Sequence, residues 1–235
     1  MKKILLTLFS FSALTFSSYT ESFENDNKSN SKYNSIPEIS EIILSTNPEE
    51  SPREEVLNLF FEGFFKLKDS LQMNNEKTVA IIDFSLPSTE KRLWIYDLES
   101  KELLKKTYVA HGKNTGDLFA EKFSNTVSSL QSSLGFYLTG NTYQGKHGLS
   151  LYLNGLEPGI NNKAKERAIV MHGADYVSES FIQNTGRLGR SFGCPSVAND
   201  EAPEIINLLA DGACLFIFHP SENYLKQSKL INIKN

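Results

Sequence analysis

A chain of 235 residues, 40% hydrophobic and 22% charged, has the proportions of an ordinary globular protein with one main domain and a sizeable core. A formal charge of −4 leaves no basic footprint, which excludes recognition of nucleic acid or of an anionic membrane by bulk charge. With only two cysteines, Cys194 and Cys214, the chain is not a disulfide scaffold.

In chain order, Met1-Lys2-Lys3 supplies a positive start, Ile4–Phe16 an apolar run broken only by hydroxyls, and Ser17-Ser18 small residues. That plan predicts a signal peptide over 1–20, the run being shorter than the ~20 residues of a membrane span; an uncleaved anchor is the alternative. Residues 21–50 are rich in Ser, Asn, Glu and Lys, with a weak apolar cluster at Ile42-Ile43-Leu44, and read as a linker or partly ordered lead-in. Ser51-Pro52-Arg53-Glu54 predicts a capping box in which Ser51 caps. Val56, Leu57, Phe60, Phe61, Phe64, Leu67 and Leu71 then mark the apolar face of an amphipathic helix within 51–75, packed on the domain that follows.

From Thr78 the pattern turns to strands. Runs rich in β-formers occupy 79–84, 92–98, 103–111, 135–139, 150–153 and 167–172, and Cys214 to His219 forms a last strand after a short helix at 201–210. The prediction is a mainly β (α+β) catalytic domain over 76–220 with two helices, followed by a polar tail at 221–235. Cys214 sits inside the continuous apolar run of that last strand and reads as core, although a Cys194–Cys214 disulfide stays open.

The chemistry concentrates in Arg187-Leu188-Gly189-Arg190-Ser191-Phe192-Gly193-Cys194-Pro195-Ser196-Val197. A thiol nucleophile needs a base, backbone N–H groups aimed at an oxyanion, and a cation for an anionic substrate. His172, at a strand end before Gly173, can take the thiol proton near neutral pH and leave a thiolate–imidazolium pair. Gly193 permits a tight turn that can present the amides of Phe192, Gly193 or Cys194, and Ser191 can orient the loop by hydrogen bonding. Arg187 and Arg190, with Gly173 at the strand end, are the substrate-binding candidates; for the arginines, pairing with local acids is the equal alternative. Asp175 either orients the imidazole or forms a turn. The other His-Gly pairs, His111-Gly112 and His147-Gly148, read as turns after strands. No paired-Cys motif, His-Glu-x-x-His, glycine-rich dinucleotide loop or phosphate loop occurs, so no metal or organic cofactor is expected.

From His172-Gly173 through Ser191-Phe192-Gly193-Cys194 the sequence resembles the YkuD-like L,D-transpeptidases, and more closely the murein L,D-transpeptidase catalytic domain branch. The resemblance spans roughly Ile81 to Phe218 and includes Val109-Ala110-His111-Gly112-Lys113-Asn114-Thr115-Gly116 and Gly189-Arg190-Ser191-Phe192-Gly193-Cys194-Pro195. It implies a β-sandwich-type catalytic fold with a few short helices, and peptidoglycan stem peptides as substrate. Cys194 is then the nucleophile on the L,D-amide, His172 the base, and the Gly193 and Cys194 amides the oxyanion hole. The acceptor is a neighbouring amine, or water, which would make the protein a carboxypeptidase; a non-catalytic wall-binding protein is the third reading. The leader predicts an exported, periplasmic or wall-associated protein with no transmembrane span once it is removed, and a monomer is expected. Phe192 stands where the wider family has His, and Pro195-Ser196 replace an aliphatic-Arg or aliphatic-Asn pair, so the substrate clamp is expected to differ.

Overall fold

The computed structural model describes residues 36–46, 48–71 and 73–231. The expected signal peptide lies outside them, and among the described residues no helix is long and apolar enough to cross a membrane. Two helices lead: α1 (Ile36–Thr46) and α2 (Glu54–Ser70). Eight strands follow: β1 (Thr78–Asp83), β2 (Leu93–Asp97), β3 (Glu102–Thr107), β4 (Gly135–Gly145), β5 (Gly148–Gly155), β6 (Val170–Gly173), β7 (Ser196–Val197) and β8 (Cys214–Phe218). Three short helices are interspersed: α3 (Glu179–Thr185), α4 (Ala202–Leu209) and α5 (Glu222–Gln227).

All strands belong to one sheet of order β3-β2-β1-β8-β4-β5-β6-β7, with β1–β8 and β6–β7 parallel and the other pairs antiparallel. Beyond β3 the chain returns to the far edge, where Ala110 bridges Ser196 of β7. The sheet therefore nearly closes on itself, and the layers of the YkuD-like fold are parts of one sheet. Every residue of β1 and β8 is buried, as their unbroken apolar runs require when both faces are covered.

One cover is α2. Its Phe60 packs on Phe136 and Phe216, whose own rings stack at 4.3 Å. The helix comes so close that a Cβ on Gly63 would lie 2.1 Å from the Phe136 ring. Its start differs from expectation: α2 begins at Glu54 with Arg53 at the N-cap and no side-chain cap. Ser51 bonds instead to Ile43 O and to the Tyr96 hydroxyl, tying α1 to β2. Two polar stretches also hold helices. Within the lead-in, α1 buries Ile39 and Ile43 against the core, and in the tail α5 buries Tyr224, which with Ser228 bonds the inward Glu157. A few apolar residues per turn suffice when a neighbouring surface completes the burial.

Candidate active site

The site gathers at the β6–β7 edge. In the parallel register His172 of β6 faces Ser196 of β7, which places Cys194 two residues before that contact. On the other side β4 and β5 form a hairpin whose two-residue turn is Lys146-His147, closed by Gly148 at φ 78°. The His147 ring stacks on His172 with centroids 4.5 Å apart and planes 20° apart.

The Cys194 turn is over-determined. Gly193 has φ 125°, and a Cβ there would also press to 2.8 Å from Gln131 O, so both conformation and space demand glycine. Ser191 Oγ donates to Cys194 O at 2.6 Å and accepts from Gly193 N–H at 3.0 Å. Ser132 donates to Gly193 O, and Ser191 N–H to His111 O. Ser191 thus occupies the Gly193 N–H, whereas the Phe192 and Cys194 N–H groups have no hydrogen-bond partner among the described residues. The Phe192 side chain is 64% exposed and lies under the Lys113 ammonium, away from the turn.

Cys194 and Cys214 are free thiols, the latter buried in β8. Cys194 is only partly exposed, and its sulfur donates weakly to Ala168 O at 3.7 Å. Burial pushes the thiol up, opposed by the Val170 backbone and the Arg167 and Lys146 charges. Burial likewise pushes the His172 imidazole down; the Gly173 carbonyl opposes this, while His147 and Lys146 add to it. Both shifts favour neutral partners. For the thiol and the imidazole alike, burial works against the charged form that a thiolate–imidazolium pair would need.

His172 Nδ1 lies 2.8 Å from Gly173 O. A carbonyl only accepts, so Nδ1 carries the hydrogen and Nε2 is the basic atom. Gly173 has no room for a side chain, since a Cβ would sit 2.6 Å from Asn199 Oδ1. Asp175 does not reach the imidazole and is bonded by Asn199 instead.

The arginines singled out by sequence turn elsewhere. Arg190 bonds Asp117 Oδ1 at 2.5 Å and the Gly116 and Lys113 carbonyls, and Arg187 approaches the same carboxylate at 4.0 Å. Both thus face Asp117, the acid-pairing alternative of the sequence. A cation beside the Cys194 turn is Arg167, missed by sequence reading. Its Nη2 would lie 3.4 Å from a Cβ on Gly193, and it fastens the 124–133 loop through Ser124 O, Gln131 O and the Ser129 and Ser133 hydroxyls. Among the described residues no three His, Cys, Asp or Glu side chains converge as metal ligands.

The fold is similar to several solved structures at low identity. An L,D-transpeptidase from Mycobacterium smegmatis is 12% identical with TM-score 0.39, covering 61% of this chain and 59% of its own. The helical cell shape determining protein Pgp2 from Campylobacter jejuni is 16% identical with TM-score 0.36, covering 68% and 56%. An L,D-transpeptidase from Stackebrandtia nassauensis is 13% identical with TM-score 0.36, covering 78% and 91%. The chain thus spans less than two thirds of the first two. Among curated proteins, none is detectably similar in sequence. A profile of the L,D-transpeptidase catalytic domain matches residues 49–218, most of the sequence, and the chain belongs to that family.

Proposed function

We propose that the protein is an exported cysteine acyltransferase acting on peptidoglycan stem peptides. The observation that carries this reading is the Cys194 turn beside a histidine whose Nδ1 is anchored on Gly173 O, in a chain of the L,D-transpeptidase catalytic domain family. Cys194 Sγ attacks the carbonyl of the L,D-amide between the third and fourth stem residues as its proton passes to His172 Nε2. The Cys194 N–H meets the developing oxyanion, a contact worth about 3 kcal/mol in comparable sites. Collapse breaks the C–N bond, and the departing D-Ala amine takes the proton back from Nε2, leaving a thioester. A neighbouring stem's amine then attacks the thioester, gives a proton to Nε2, and the tetrahedral species expels the Cys194 thiolate, which is reprotonated from His172. The 1–20 segment would direct the chain across the membrane to the wall, and Arg167 and Lys146 are the cations nearest the thiol for a stem carboxylate.

Full-length protein and its Cys194→Ala variant, incubated with tetrapeptide muropeptides and read by mass spectrometry, test this. Wild type is expected to release D-Ala and form cross-linked dimers, and the variant neither. Tripeptide stems without dimers would assign water as acceptor. Wild-type turnover by Cys194→Ala would end the nucleophile assignment.

A further inference from the structure

Ser196 stands where the wider family pattern has Arg or Asn, and its side chain points inward. It is fully buried, its Oγ lies 3.1 Å from His172 Nε2, and the Tyr176 hydroxyl lies 3.1 Å from that Oγ. Hydrogen direction follows from one fixed end. Nδ1 donates to Gly173 O, so in the neutral ring Nε2 accepts; the Ser196 hydroxyl must donate to it, and the Tyr176 hydroxyl donates to Ser196 Oγ. Tyr176 is itself held by Gly189. Its carbonyl accepts the Gly189 N–H, and a Cβ on Gly189 would lie 2.2 Å from the Tyr176 Cβ. The glycine of the Arg-Leu-Gly-Arg stretch is thus a seat for the tyrosine.

We propose that Ser196, backed by Tyr176, is a positioning residue for the base, a reversible hydroxyl chain that holds His172 Nε2 as acceptor and then receives its hydrogen. Nε2 has one lone pair, now occupied by the Ser196 hydroxyl. The thiol proton reaches it when that hydroxyl rotates away, or when Ser196 passes its hydrogen to Nε2 while taking the thiol's. Either way one proton leaves Cys194 Sγ, one arrives at Nε2, and Ser196 ends neutral. The chain then runs backwards, with Nε2–H donating to Ser196 Oγ and Ser196 O–H to Tyr176 Oη. A buried imidazolium is costly without an acceptor, and this reversal supplies one. The other groups that bear on the ring are His147, stacked on it, and Lys146, while Lys146 and Arg167 bear on the Cys194 thiol. Burial holds the Tyr176 phenol above its ordinary value, so it stays protonated while the chain reverses.

The inference rests on the cysteine–histidine site, and its test needs no muropeptide. The rate of Cys194 alkylation by iodoacetamide is measured against pH in full-length protein. Ser196→Ala is expected to slow alkylation at neutral pH about tenfold, the size of one hydrogen bond, and to move the pH midpoint. Ser196→Thr should restore most of the rate. Tyr176→Phe, which removes one oxygen from a half-buried side chain, should slow it by about threefold and guards against a Ser196→Ala protein that fails to fold. In a His172→Ala background Ser196→Ala should cost nothing further. Equal losses in both backgrounds, or wild-type rates and midpoints for Ser196→Ala and Tyr176→Phe, overturn the relay. Inactivity towards muropeptides with these alkylation effects intact would instead count against the substrate assignment.

Discussion

His111 and His172 stand in near-identical settings in the sequence: Val109-Ala110-His111-Gly112 and Val170-Met171-His172-Gly173. Both rings are buried, at 1% and 5% exposure. Their nitrogens separate them. His111 Nε2 donates to Gly116 O, and its accepting Nδ1 is filled at 2.8 Å by Arg92, a fully buried guanidinium that also bonds Val109 O and Leu86 O. His172 has its accepting nitrogen filled by a hydroxyl whose hydrogen can turn away. A fixed cation on the lone pair makes a structural node; a rotatable donor leaves a lone pair that can be freed, as the proposed base requires. Burial alone does not distinguish them.

The largest expected effect breaks this pairing directly. With His172 as the proposed base, His172→Gln should lower the proposed acyl transfer about a thousandfold while moving the thermal midpoint by little more than a degree or two. His111→Gln should do the reverse, melting earlier with turnover within a few-fold of wild type. Parallel rate and melting measurements on the two variants check this. Comparable rate losses from both would mean that the two histidines are not divided into base and node.

The next effect concerns acid stability. Burial, with the Arg92 and Arg190 charges adding to it, pushes the His111 imidazole down to about 4. As pH falls below the ordinary value of ~6.5 the unfolded chain takes up a proton that the folded state refuses, so stability present above ~6.5 is lost progressively down to about 4. The full loss from this one group is about 3 kcal/mol. His111→Gln removes the ionisation. Its denaturation free energy should therefore fall less steeply between pH 6.5 and pH 4 than that of wild type, even though the variant starts from lower stability. Parallel slopes would remove His111 as the origin of acid sensitivity.

Legibility in the sequence followed the range of the interactions. Strands β1 and β8 were readable because a run apolar on both faces is a local signal. The apolar face of α2 was readable for the same reason, although its cap was not: Ser51 is drawn to Ile43 and Tyr96, contacts no capping pattern encodes. Strand β7 has two residues, too few for any period, and exists because β6 offers an edge. Cys194 and His172 stood out by chemistry, whereas Ser196, Tyr176 and Arg167 acquire meaning only through pairings across the sheet and its loops. For Arg187 and Arg190 the sequence left substrate binding and acid pairing open, because Asp117, far earlier in the chain, meets them only in the folded state.

His147 sharpens the comparison in a smaller way. It too read as a turn, and it is one, but the β4–β5 hairpin lays its ring flat on His172, a stacked cover that His111 lacks among the described residues. Its charge and its bulk act in the same direction on His172. A protonated neighbour disfavours a second imidazolium, and a stacked ring keeps water from solvating one, so both hold the His172 imidazole down. Removing that ring in His147→Ala therefore raises His172 towards its ordinary value. Since the neutral form accepts the thiol proton, the acid side of the rate–pH profile should move to higher pH, with the plateau rate changed by only a few-fold. The same variant should leave the acid-stability slope assigned to His111 unaltered, because the hairpin tip stacks on His172 and not on His111. An acid limb that stays in place, or moves to lower pH, would mean that the stacked ring does not govern the base and that Lys146 or burial elsewhere sets its titration.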